Sequence, residues 1–169
     1  PIQNLQYALE SNGIIVTGFG TGDGRIDAFS QRTTLDGNEL CFIALDQGSK
    51  PEGRIRFDMA HELGHLLLHP WSEELDNISK DEFRLRETQA NIFASAFLLP
   101  RDSFGKDAEL YPTDLKYYIW LKKKWKSLVL LTKLKKHNFI NNKTFHSNVE
   151  RLLGYIQHGI YACERINYE

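Results

Sequence analysis

Two imidazoles four residues apart with a carboxylate between them, His61-Glu62-Leu63-Gly64-His65, are the part of this chain best suited to chemistry. On an α-helix, residues four apart are offset by about 40° and one turn of rise, so His61 and His65 project from one face and can offer two nitrogens to a single metal ion. Glu62 follows the first histidine but points elsewhere around the helix. It is too far round to complete the same coordination shell, which leaves it in the position of a general base acting on water. A helical HExxH is therefore the arrangement a zinc hydrolase requires. Ordinary residue frequencies produce this pentapeptide by chance in a chain of this length with odds of roughly 0.5%, so the flanking sequence has to decide.

The flanks read as helix. Ile55-Arg56-Phe57-Asp58-Met59-Ala60 and Leu66-Leu67-Leu68 are rich in apolar side chains without strand-like alternation, and Pro70 closes the segment. A buried helix from about Arg54 to His69 is predicted. Gly64 inside it costs about 1 kcal/mol relative to Ala, which implies that a neighbour approaches the backbone closely there.

A zinc enzyme needs a third protein ligand, and the helical pattern from Asp81 to Pro100 offers one. Phe83, Ala90, Ala94 and Phe97 mark a core-facing stripe, and Glu87 falls in phase with it, four after Phe83 and three before Ala90. An unpaired carboxylate on that face would be costly to bury, whereas coordination to a divalent cation removes the penalty. The competing reading pairs Glu87 with Arg84 or Arg86, or leaves it at a solvated edge. Asn91 lies one turn further along the same face, where its amide could hydrogen-bond a ligand histidine and fix its ring; otherwise it bonds water or a nearby carbonyl. His69 extends the histidines to an i, i+4, i+8 ladder. Its ends would be about 12 Å apart on a helix, too far to share one ion, and a histidine at a helix C-terminus already has a favourable place against the macrodipole.

The run His61-Glu62-Leu63-Gly64-His65-Leu66-Leu67-Leu68-His69, followed by Glu87-Thr88-Gln89-Ala90-Asn91-Ile92-Phe93-Ala94 and Leu98-Leu99-Pro100, resembles the ImmA/IrrE family of zinc-dependent metallopeptidases. Asp27-Ala28-Phe29-Ser30 and Arg54-Ile55-Arg56-Phe57 join the match, which covers roughly residues 14 to 102. The resemblance implies a gluzincin-like site with Zn2+ held by His61, His65 and Glu87, and Glu62 as base. It also implies a bacterial or phage-borne cytoplasmic protein acting on a helix-turn-helix repressor. In such a site zinc is expected to acidify water and polarise a peptide carbonyl, while Glu62 carries the proton to the leaving amine. The residue that stabilises the oxyanion is not identified by the sequence.

Upstream, Leu5 and Leu9 closed by Asn12-Gly13 suggest a short helix, and Ile14–Thr17, Arg25–Phe29 and Leu40–Leu45 are strand candidates. Glycines at 18, 20, 22 and 24 are not followed by Lys-Ser/Thr, which argues against a phosphate loop; Asp23-Gly24 reads as a hairpin turn. The Asp27–Ser30 segment is either an edge strand that pairs with substrate backbone or a purely structural hairpin. The expected architecture is α+β: a small antiparallel sheet packed on the HExxH helix and a second ligand-bearing helix, with a helical C-terminal region. Residues 1–112 form the metallopeptidase-like domain and 113–169 a basic helical region, either separate or part of the same domain.

Net charge is only −1 over 169 residues, yet residues 113–146 carry 9 basic and 1 acidic side chains. Lys116, Lys122, Lys123, Lys124 and Lys126 interleave with Tyr117, Tyr118, Trp120 and Trp125, a pattern that attracts polyanions and could meet DNA phosphates, although lysine does not read base edges. After Lys126 an apolar helix is expected to continue through Leu131, with a turn at 138–142 and a last helix from about Ser147 to Tyr161. No apolar run reaches membrane-spanning length and no signal segment opens the chain, so a cytoplasmic location is expected. Pro1 suggests a trimmed or excised chain. Two distant cysteines, Cys41 and Cys163, indicate neither a disulfide framework nor a cysteine metal site. Two function classes remain: a zinc endopeptidase, or a regulatory binding protein with a structural metal whose basic tail meets DNA or a partner.

Overall fold

A computed structural model of the chain describes residues 1–20, 26–46, 48, 50–69, 78–111 and 114–127. The elements follow in the order α1 (Leu5–Glu10), β1 (Ile14–Phe19), β2 (Ala28–Leu35), β3 (Asn38–Asp46), α2 (Glu52–Leu68), α3 (Lys80–Leu98), α4 (Arg101–Glu109) and α5 (Leu115–Trp125). This is the α+β class that the patterns predict. In α1 the Asn4 side chain accepts from the Tyr7 N–H, Leu5 and Leu9 are buried, and Gly13 takes up φ 83° where the chain turns into β1.

The sheet has the order β1-β3-β2. β3 takes the centre, paired along both edges, and its run Leu40–Leu45 is apolar at every position. β2 and β3 pair antiparallel from Ala28↔Leu45 to Leu35↔Asn38, joined by Asp36-Gly37, whose positive φ values of 50° and 78° are those of a type I′ turn. β1 pairs with β3 in parallel, Ile14↔Cys41 to Phe19↔Asp46. The sheet is thus mixed where an antiparallel one was expected: β2 runs back, so β3 regains the direction of β1 and enters between them. β1 and β2 lie at opposite edges and do not pair with each other; the hairpin turn is at Asp36-Gly37, and Asp23-Gly24, where one was expected, lies outside the described residues.

Ile43 and Leu45 on the inner face of the sheet, Leu5 and Leu9 of α1, Met59, Ala60, Leu63 and Leu66 of α2, and Ala94 and Leu98 of α3 share one core. Phe104 of α4 and Tyr118, Leu121 and Trp125 of α5 belong to the same cluster. Trp125 stacks edge-on against Phe104 at 5.4 Å and donates its indole N–H to Asp107 Oδ2 at 2.8 Å. α5 ends at Trp125, with Lys126 in the left-handed region at φ 46°, so the helix expected to continue through Ser127 is broken there. Leu128 onward, with the expected turn at 138–142 and last helix at 147–161, lies outside the described residues. Among the described residues no helix is long and apolar enough to cross a membrane.

α2 lies on the sheet's inner face beside β2. Two residues of strand advance about 6.7 Å and four residues of helix about 6.0 Å, so contacts repeat in step. Ser30 reaches Glu62 and Arg32 reaches the carbonyl of Leu66. α3, capped by Ser79 accepting from the Glu82 N–H at 3.1 Å, crosses α2 at Gly64. A Cβ on Gly64 would meet Ala90 Cα at 3.2 Å, Ala90 O at 3.3 Å and Phe93 Cδ1 at 3.1 Å, which is the close neighbour that a helical glycine implied.

Candidate metal centre

α2 carries His61 and His65 on one face, and the α2–α3 crossing brings Glu87 opposite them. His61 Nε2 and His65 Nε2 are 3.0 Å apart, and Glu87 places Oε2 3.4 Å from the first and Oε1 3.2 Å from the second. A tetrahedral ion with ligands at about 2.0–2.1 Å separates them by about 3.3–3.4 Å, close to this triangle. With one ligand atom taken from each residue, His61, His65 and Glu87 form a set within 4.8 Å of one another. The donor set of two imidazoles and a carboxylate fits zinc.

The outer nitrogens agree with this. His61 Nδ1 faces Asn91 Oδ1 at 3.2 Å, and an amide oxygen accepts, so the His61 proton belongs on Nδ1 and the Nε2 lone pair points inward. His65 is held neutral, its pKa lowered to about 4, first by burial and then by the charge of His61. Two inward lone pairs 3.0 Å apart repel each other unless a proton or cation lies between them.

Glu62 is 8% exposed, and burial pushes its carboxyl above the usual carboxylate range, opposed by the Ser30 hydroxyl, which donates to Oε2 at 2.6 Å. A raised carboxylate is a better base near neutral pH. Beside it opens a cleft of about 400 Å³ whose lining includes Asp27, Ala28, Phe57, His61, Glu62 and Glu87.

The five residues singled out from the sequence, His61, Glu62, His65, Glu87 and Asn91, thus lie together, but two details of the expectation change. Phe83, expected in the core stripe, is 47% exposed, and the Glu87 side chain is 38% exposed at the cleft rim. His69 stands outside the triangle, with its Nδ1 2.9 Å from His65 Nδ1.

Sequence reasoning missed Ser30 as the partner of Glu62, and also the polar strip along α2. Arg54 bonds Asp58 at 3.0 Å and Asp27 at 2.7 Å, and Lys50 bonds Asp27 at 2.6 Å. Asp58 is buried, and burial raises its pKa despite Arg54. The spacing of Arg54, Asp58 and Glu62 at four-residue steps was the available signal for that strip. On α5, Lys124 pairs with Asp107 at 2.7 Å and lies over Trp120, and Lys126 pairs with Glu52 at 3.0 Å.

A family model described as Peptidase M78, IrrE N-terminal-like domain, matches residues 10–132. No curated protein matches the chain.

Proposed function

Because this chain belongs to the IrrE N-terminal-like peptidase family, a family of metallopeptidase type, we propose that it is a zinc-dependent endopeptidase acting on an extended segment of a protein substrate. The observation that carries the reading is the triangle of His61 Nε2, His65 Nε2 and Glu87, with the buried carboxyl of Glu62 next to it on the same cleft. His61, His65 and Glu87 would hold the zinc, which would supply Lewis acidity toward a carbonyl and toward water. Three protein ligands also leave a tetrahedral site one open position, the pattern of a catalytic centre rather than a structural one.

This chain's own residues then divide the work. Ser30 holds Oε2 of Glu62, leaving Oε1 as the oxygen that takes a proton from water and passes it to the leaving amine. Asn91 orients the His61 ring. β2 is a sheet edge that lines the cleft at Ala28 and bonds Glu62 through Ser30, so an extended peptide could pair with its backbone and present a carbonyl beside Glu62. The substrate we propose, from the family resemblance, is a helix-turn-helix repressor in the cytoplasm.

The alternative, a regulatory protein that meets DNA through its basic helix, has weaker support. Lys124 and Lys126 are engaged in pairs within the chain, which reduces the charge α5 can offer to phosphates. The deciding experiment incubates the zinc-loaded protein with a helix-turn-helix repressor, the class of substrate proposed. Cleavage that stops with chelator and with Glu62→Gln is expected; cleavage by Glu62→Gln at the parental rate contradicts the assignment.

A further inference from the structure

Each candidate ligand histidine turns Nε2 inward, and its outer nitrogen leads to α3. For His61 the path is direct, through Asn91. For His65 it has two steps: Nδ1 lies 2.9 Å from His69 Nδ1, and His69 Nε2 lies 3.1 Å from Gln89 Oε1. His69 makes this contact because the chain leaves the helix there. It is the C-cap of α2, extended at φ −115° and ψ 142°, with its own N–H still bonded to the His65 carbonyl at 3.2 Å.

The proton positions along this path follow from one condition. If His65 ligates through Nε2, its proton sits on Nδ1 and must be donated. The acceptor is His69 Nδ1, so the proton of His69 sits on Nε2 and is donated to Gln89 Oε1. Both nitrogens of His69 are then occupied, which leaves it none for the metal.

We propose that His69 and Gln89 are positioning residues for the metal: a histidine-to-amide relay that fixes the ring and tautomer of His65 and ties metal binding to the packing of α2 on α3. The inference rests on the metal-centre reading above. Within the five consecutive residues 87 to 91, α3 supplies one candidate ligand in Glu87, the outer partner of His61 in Asn91, and in Gln89 the end of the path from His65 through His69. A neutral imidazole that accepts at Nδ1 also makes the His65 ring a stronger donor to the ion.

The test is Zn2+ affinity by chelator competition, with Co2+ absorption as a signature of ligand geometry, in the full chain. His69→Leu removes the acceptor; His69→Asn restores one, since Oδ1 is as many bonds from Cα as Nδ1 is. The dissociation constant for Zn2+ should rise about 10- to 100-fold in His69→Leu, the usual range for loss of an outer partner. In His69→Asn it should stay near the parental value, and Gln89→Leu should fall between. The metal-free unfolding midpoints should match the parent, and ring nitrogen resonances of the zinc-loaded parent should put the His69 proton on Nε2. Parental affinity in His69→Leu, no rescue by Asn, or an Nδ1 proton on His69 overturns the relay. If His69→Leu does not fold, Gln89→Leu and the resonances decide. A parent that binds no Zn2+ overturns the metal centre itself, and the relay with it.

Discussion

Glu62 and His65 sit on the same turns of one helix yet have separable jobs, and substitution should separate them. Glu62 touches the cleft and Ser30 but lies outside the triangle of candidate ligands, so Glu62→Gln should bind Zn2+ one to one and lose activity by about 10²–10⁴, the scale of a general base. His65→Ala removes a corner of the triangle, so metal content and activity should fall together. Metal analysis beside a peptide-cleavage assay reads both. If Glu62→Gln loses its zinc as well, Glu62 is holding the site rather than acting in it. This division was legible in the sequence because it depends on local helical geometry, which places residues 61 and 65 together and 62 apart. The partners of these groups were not: Ser30 is 32 positions from Glu62 and Gln89 is 20 from His69, and only the apposition of elements brings them into reach.

Two contacts between elements set the spacing of the site. At Gly64, Ala would gain about 1 kcal/mol of helix propensity, but overpacking costs about 1–3 kcal/mol, and two of the opposing atoms are Ala90 backbone that cannot rotate away. Gly64→Ala should therefore push α3 outward and carry Glu87, one turn before Ala90, away from the histidines. The expected result is weaker Zn2+ binding with modest loss of stability, read by metal titration and thermal unfolding; tighter binding would place the crossing elsewhere. The second contact joins Asp27, the residue before β2, to Arg54 of α2 and to Lys50 just ahead of that helix. The Lys50 ammonium beside Asp27, with Arg54 next to it, holds the Asp27 carboxyl below its usual 3.8. A depressed folded-state value means the stabilisation is present above the unfolded value and is lost as pH falls. Asp27→Asn should thus be less stable than the parent at pH 7, by about 1 kcal/mol or less because the group is half exposed, and the gap should close below pH 3.8. Unfolding midpoints across pH check this, and a gap that persists in acid would refute the ion-pair origin. The sequence shows why β2 was harder to read than β3. Ser30-Gln31-Arg32-Thr33-Thr34 is polar, as an edge strand can be, whereas the central strand is apolar throughout. The polar run from Ser30 separates the apolar start of β2 from Asp36-Gly37, so alternation alone ends the strand at Phe29 and leaves the hairpin turn without a strand before it.

At the scale of the molecule, the described elements close on one hydrophobic core, and α5 is part of it. Trp125 is 2% exposed and its indole is anchored to Asp107, so Trp125→Ala should cost about 3–5 kcal/mol and unfold the site along with the rest. Circular dichroism and metal release should then report a single transition; separate transitions would make residues 115–125 an independent unit. The basic composition of this stretch points to a surface that attracts polyanions, and its buried face is legible only from spacing. Tyr118, Leu121 and Trp125 at three- and four-residue steps form the buried stripe that composition hides. The whole fold thus positions two facing helices so that three side chains meet. X-ray absorption of the zinc-loaded chain tests that most directly: two imidazoles with the remaining neighbours oxygen, all at about 2.0–2.2 Å, are predicted, whereas a third imidazole or a sulfur at about 2.3 Å would contradict the account.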